Sequence, residues 1–154
     1  MQTRLRLGAS SVLVPPDWET GSVAGTPDVV HAREPADRAD PERFRADVVL
    51  VRESLDGLTL SAWQNAADAV LPSVLTDYLL LDLERREVAG RPGGRRLAHH
   101  VEPGGRAVVM EQWFTCAGPA GYTVTTTVDV HRFDLLAEIM SAIGESLQIG
   151  AEVS

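Results

Sequence analysis

Two glycine-bearing turns separate three runs of alternating character between Arg95 and Val130. That pattern restricts the chain to an antiparallel sheet at its centre. The first turn is Pro103-Gly104-Gly105-Arg106. A two-residue hairpin loop needs φ > 0 at its middle, which Gly supplies without a Cβ clash. Centred on Gly104-Gly105, the hairpin sets Val101 against Val108, His99 against Met110, His100 against Val109 and Arg96 against Trp113. The second turn, Ala117-Gly118-Pro119-Ala120-Gly121, is longer and pairs Cys116 with Tyr122, which sets Phe114 against Val124. Side chains alternate with period two, so both hairpins assign the same faces. One face carries Leu97, His99, Val101, Val108, Met110, Phe114, Val124 and Val128, and reads as core. The other carries His100, Val109, Glu111, Trp113, Thr123, Thr125 and Thr127; its mixed character suits water or a partner.

The chain's 154 residues correspond to one domain over 1–154 with its core at about 10–148, enough to bury a hydrophobic interior. A net charge of −8 makes nucleic acid and anionic membranes poor partners. All fourteen basic residues are Arg, a bias expected of a GC-rich genome rather than of a function. The single Cys excludes an internal disulfide framework and a cysteine-based zinc site. No apolar run approaches the ~20 residues of a membrane span. Near the N-terminus Val12-Leu13-Val14 is too short for a signal sequence, and no cysteine stands where a lipoprotein needs one. The expected location is the cytoplasm.

Flanking elements follow from local signals. Residues 10–14 and 28–33 read as short strands, with Asp17 to Thr26 a polar loop between them. Glu34 to Arg45 mixes charges of both signs with Pro35 and Pro41 and reads as a solvated loop. The β-branched run Asp47–Arg52 is a strand, turned at Asp56-Gly57. Thr59 is an N-cap for a helix whose stripe is Leu60, Trp63, Ala67, Val70 and Leu71, ended or kinked by Pro72. Tyr78–Val88 is a strand with Leu79-Leu80-Leu81 expected to be buried and Glu84–Glu87 running to an edge. A final helix, from about Arg132 to Gln148, presents Phe133, Leu136, Met140, Ile143 and Leu147 to the core face. Phe114, Val124 and Leu136 should therefore be buried together.

Candidate chemistry is sparse. The four histidines form no metal-ligand pair, since adjacent His99 and His100 point to opposite faces of a strand. No Gly-x-Ser-x-Gly elbow exists, and Cys116 reads as a small hydrophobe. Gly90-Arg91-Pro92-Gly93-Gly94 lacks the Gly-Lys-Ser/Thr ending of a phosphate loop and reads as a turn. One constellation remains: Glu111 with His100 on its diagonal, Thr127 opposite and Trp113 two residues on. A carboxylate beside an imidazole is able to do acid–base work, but an exposed polar face is the simpler reading. No catalytic residue, metal or cofactor is assigned, and Glu111→Gln or His100→Ala is expected to be silent.

Several stretches resemble the PsbP-like superfamily in its bacterial DcrB/LpqN-like branch, which includes actinobacterial lipoproteins and Eag-type secretion chaperones. They are Asp47–Leu55 followed by Thr59-Leu60-Ser61-Ala62-Trp63, the hairpin entry Gly90–Val101, Glu111-Gln112-Trp113-Phe114, and Gly121–Thr127 leading into Phe133–Leu147. The resemblance implies an α+β fold, an antiparallel sheet flanked by helices in an α/β/α sandwich. It also implies a protein that binds rather than catalyses, as an adaptor or chaperone of a secretion system. The expected partner is a protein such as a secreted effector, with a homodimer as a further candidate. If both helices cover one face, Trp113, Val109, Thr125, Arg96, Glu111 and His100 form an open docking face on the other. Trp113→Ala would then weaken association and spare stability. The opposing reading has the N-terminal segment with Trp18 covering that face. A different function, a small-molecule carrier or enzyme, would instead use a pocket between sheet and helix.

Overall fold

The computed structural model describes residues 2–151; Met1 and residues 152–154, which the 1–154 domain span includes, lie outside them. In chain order the elements are β1 (Thr3–Leu7), β2 (Ser10–Val14), β3 (Glu19–Val23), β4 (Thr26–Arg33), β5 (Asp47–Ser54), α1 (Leu60–Val74), β6 (Thr76–Val88), β7 (Arg91–Val101), β8 (Ala107–Ala117) and β9 (Ala120–Asp129). A single 3-10 turn, Val130–Arg132, leads into α2 (Phe133–Glu145), and β10 (Gln148–Ile149) follows. The main sheet has seven strands in the order β3-β4-β5-β9-β8-β7-β6, all antiparallel. A second sheet, β1-β2-β10, has three. The fold is α+β, as the sequence patterning requires.

The two helices lie on opposite faces of the main sheet, not on one. On one face α2 and the small sheet bury Trp113, Tyr122, Val124, Val48 and Leu50 against Leu5, Val12, Val14, Ile143 and Leu147. The N-terminal segment thus covers this face, as the opposing reading had it; β1 was not anticipated, and Trp18 packs at the edge of the same core. Gly144 lets α2 approach closely, since a Cβ there would come 2.1 Å from the Trp113 ring. On the other face α1 crosses the sheet with no residue fully buried.

Both hairpins are displaced by one residue from the expected register. His100 pairs with Val108 and Arg96 with Gln112; Trp113 pairs with Val124 and Phe114 with Thr123. The cause is loop length. The first loop runs from Glu102 to Arg106, closed by Glu102 N–H to the Arg106 carbonyl, with Gly104 and Gly105 both at positive φ. Five residues shift the pairing by one relative to two. The second loop is the tight one: Ala117 pairs with Ala120, and Gly118 sits at φ +57 ahead of Pro119. A Gly at the first central position suits a type II′ turn. The slip exchanges the faces of alternate β8 residues. Phe114 and Val124 are both buried, but on opposite faces, and Leu136 is only half-buried beside Ala46, Val128 and Met140. The three do not form one cluster.

The loop from Glu34 to Arg45 is pinned rather than free. Arg132 donates to Glu34, to Asp129 (3.0 Å) and to the Phe44 carbonyl (2.6 Å), while Glu34 accepts from the Ala46 N–H at 2.7 Å. Burial acts to raise the Glu34 carboxyl, but the Arg132 bond, the Ala46 N–H and the charges of Arg132 and Arg43 outweigh it and hold it low.

At the start of β5, Asp47 is in the opposite situation. Burial, with Glu102 nearby, pushes its carboxyl up to about 6 against the pull of Arg33. A raised carboxyl binds its proton more tightly when folded, so this contribution to stability falls as pH rises from about 4 to 6. Asp47→Asn should remove the cost of ionisation, on the order of 2–3 kcal/mol at neutral pH. Urea midpoints at pH 4 and pH 7 would check this: the variant should gain at pH 7 and change little at pH 4. An equal or negative change at pH 7 would contradict it.

Candidate functional site

The six residues expected to form one docking face are split between the two faces. Trp113, Val109 and Glu111 face α2, and all three are buried. Arg96, His100 and Thr125 face α1; Arg96 and His100 are buried and Thr125 is half-buried. Trp113 is 2% exposed, so it is not a surface anchor. The pairing of Glu111 with His100 also dissolves, because Glu111 lies opposite Leu97 and Thr126.

Glu111 has a structural setting instead. Its Oε1 accepts from Trp113 Nε1 at 2.6 Å, its Oε2 accepts from Arg95 Nη2 at 2.8 Å, and Ser141 of α2 donates to it at 3.2 Å. A buried carboxylate with these partners fastens helix to sheet, so Glu111→Gln is no longer expected to be silent. Burial holds the His100 imidazole below its usual range, against the pull of Glu102, and pushes the Cys116 thiol up. Among the described residues no three His, Cys, Asp or Glu side chains converge as metal ligands would.

Two further features stand out. The first is a cavity of about 220 Å³ between α1 and the sheet. Its roof is Trp63, Gln64, Ala67 and Leu71, and its floor comes from Val51 and Glu53 of β5, Thr123 and Thr125 of β9, Gln112 and Phe114 of β8, and Arg96 of β7. Trp63 meets Phe114 edge to face at 6.1 Å and donates from Nε1 to Glu53 at 2.7 Å. Gly121 makes room for this ring, since a Cβ there would come 2.6 Å from it. Arg96 lies over the Phe114 ring at 5.1 Å. Its guanidinium donates to Asp68 of α1 and to Gln112 Oε1 at 2.6 Å, and Gln112 donates on to Thr125 at 3.2 Å.

The second feature is an apolar edge. β6 is one of the two edge strands of the main sheet, and Leu79, Leu80 and Leu81 are 58%, 43% and 49% exposed. The expectation that they are buried is corrected here. An apolar triplet reads as central, but only topology says which strand lies at an edge. Beside β6, α1 leaves Val70 and Val74 at 52% and 64% exposure. β6 is irregular here, with shifts in register on both sides of Leu79-Leu80. Its other half is charged: Arg86 meets Glu84 and lies over the Trp113 ring at 5.0 Å.

No protein-family model and no curated protein matches the sequence. Solved structures do. The cyanobacterial PsbP of Synechocystis sp. PCC 6803 superposes with a TM-score of 0.66 at 14% identity, over 97% of this chain and 92% of that one. LpqN of Mycobacterium tuberculosis, described as involved in cell envelope biogenesis, gives 0.66 at 15% identity, over 98% and 91%. The Ran-binding protein Mog1p of Saccharomyces cerevisiae gives 0.62 at 14%, over 97% and 95%. At these identities the likeness establishes the fold: the chain has the PsbP-like α+β arrangement.

Proposed function

We propose that this protein is a non-catalytic binding domain whose partner is another protein, and that the partner docks on the β6 edge beside α1. The observation that carries the reading is the exposed triplet Leu79-Leu80-Leu81 on an edge strand. An edge presents unpaired N–H and C=O groups, and soluble proteins usually blunt it with charge. Here the half of β6 at Glu84–Glu87 is charged and the half at Leu79–Leu81 is apolar, and the neighbouring α1 exposes Val70 and Val74. An extended segment adding as a further strand would satisfy the backbone and rest its side chains on the leucines. Asp77 precedes the triplet, while Asp82 beyond it is already paired with Arg95 at 3.2 Å, so the fitting segment is apolar with an Arg or Lys at the end that meets Asp77. A client of that kind suits an adaptor or secretion chaperone. That a neighbour of this fold is named for binding Ran supports a protein as partner.

The test is site-specific photo-crosslinking in the native host. A photoreactive residue at position 80 should give an adduct of defined mass, and Leu79→Lys with Leu81→Lys should abolish it while the melting temperature barely moves. The control position is Leu135, 75% exposed on α2. An adduct from position 135 but not 80, an adduct that survives the double substitution, or none at position 80 would each contradict the proposal.

A further inference from the structure

A cleft of about 460 Å³ lies beside the small sheet and the turn at Ala89, at the far end of β6 from Leu79–Leu81. It does not depend on the docking reading. The alternation of β1 builds it. Leu5 and Leu7 point into the core, at 5% and 7% exposure, so Arg4 and Arg6 share the outer face. Pairing sets Arg6 opposite Ser11 of β2, and Ser11 opposite Gln148 of β10. One row therefore crosses all three strands, and the half-buried Arg4 reaches over it. Its Nη1 donates to Ser11 Oγ at 2.8 Å and to Gln148 Oε1 at 3.1 Å. These four side chains line the cleft together with Ala9, Ala89 and Ile149.

No Asp or Glu among the described residues lines this cleft, and neither arginine meets a carboxylate there. In a chain of net charge −8 that sets the pair apart. Arg43, Arg45, Arg86, Arg95, Arg96 and Arg132 each hold an ion pair. Arg4 spends only Nη1, on two neutral acceptors, and Arg6 donates to nothing among the described residues. Ser11 and Gln148 are used as acceptors, which leaves the hydroxyl proton and the amide N–H groups to donate. The site therefore offers donors and two positive charges with no anion to meet them.

Charge selects the ligand. Two guanidinium groups at alternate positions of one strand stand about 7 Å apart at their Cα atoms and repel each other. A carboxylate or a sulfate ester would neutralise one of them. A phosphate monoester carries about −1.5 to −2 near pH 7 and has three acceptor oxygens, which guanidinium groups pair with bidentately. The volume falls within the roughly 300–1,000 Å³ of small-molecule pockets, so there is room for more than inorganic phosphate.

We infer that the cleft between the outer face of the small sheet and the β6–β7 turn is a binding site for a small phosphate monoester. Arg4 and Arg6 hold the dianion between them, and Ser11 and Gln148 donate to its remaining oxygens.

Phenyl phosphate and phenyl sulfate, alike in shape but differing in charge, test this. In proton–nitrogen NMR titrations of the whole protein at pH 7.5, phenyl phosphate should give saturable shifts of the Arg4 Nε–H and of the Ser11 and Gln148 amides. Phenyl sulfate should bind at least about fivefold more weakly. At pH 5 the phosphate advantage should vanish, because its second proton returns near pH 6 while the sulfate is unchanged. Arg6→Gln, at an exposed position that should fold normally, should weaken phenyl phosphate at least about tenfold, the loss expected for a charge-assisted contact. Arg85→Gln, which removes an exposed arginine elsewhere, should change it less than about twofold, as expected of a screened distant charge. Gln148→Glu places a carboxylate within reach of Arg4 and should also abolish binding without lowering the melting temperature. A phosphotyrosine peptide shares the headgroup and should bind no more tightly than phenyl phosphate. Four results would overturn the inference: no saturable shift at these signals, equal affinity for the two probes at pH 7.5, undiminished binding by the Gln148→Glu protein, or a marked preference for the peptide, which would make the ligand a modified protein.

Discussion

Trp113→Ala should destabilise the protein by about 3–5 kcal/mol, the range for removing a large aromatic from a packed interior. The indole is 2% exposed, fits against Gly144 of α2, and is covered from the edge by Arg86. Its Nε1–H is one of the donors that satisfy Glu111, so the substitution also leaves a buried carboxylate short of a partner. Urea denaturation followed by far-UV circular dichroism would measure the loss. A change below about 1 kcal/mol would mean that the indole is not between sheet and helix. This reverses the expectation from the sequence, which had Trp113 on an open face where its loss would spare stability.

Glu111→Ala should cost nearly as much, about 3–5 kcal/mol. The carboxylate is 2% exposed and joins Arg95 and Trp113 in the sheet to Ser141 in α2. Removing it leaves the Arg95 guanidinium with only Asp82 and Glu84 near the surface and the indole N–H with no acceptor. Because Trp113 and Glu111 are bonded to each other, the double variant should lose less than the sum of the two, by about 0.5–3 kcal/mol. Additive losses in a double-mutant cycle would show that the Trp113–Glu111 bond carries no stability.

Much of the fold was legible because the signals were local. Thr59 caps α1, accepting from the Ala62 N–H at 3.1 Å, and the stripe Phe133 to Leu147 gave α2 with Met140, Ile143 and Leu147 buried. The turns were found as well, but their lengths were not. A glycine pair marks a place where φ > 0 is allowed without saying how many residues leave the ladder. Miscounting by one residue sent Trp113 to the outside and Phe114 to the core face. The threonines of β9 were assigned correctly to the less covered face; it was their β8 neighbours that changed places. Pro72 lies within α1 rather than at its end, and the helix runs on to Val74.

The candidate site was illegible for a different reason. Leu79-Leu80-Leu81 has the composition of a buried central strand, and only the strand order puts it at the edge. The cavity depends on Ala67 meeting the preceding strand β5 together with β7, β8 and β9, which are remote in sequence. Pairwise spacing carries none of this information.

The claim that the β6 edge beside α1 is the docking surface is tested most directly by amide hydrogen exchange, with and without the partner identified by crosslinking at position 80. Partner binding should slow exchange in residues 76–83 of β6 and in residues 67–75 at the end of α1, leaving α2 and β3–β4 unchanged. Protection confined to α2 or to β3–β4, with β6 exchanging as fast as in the free protein, would contradict it.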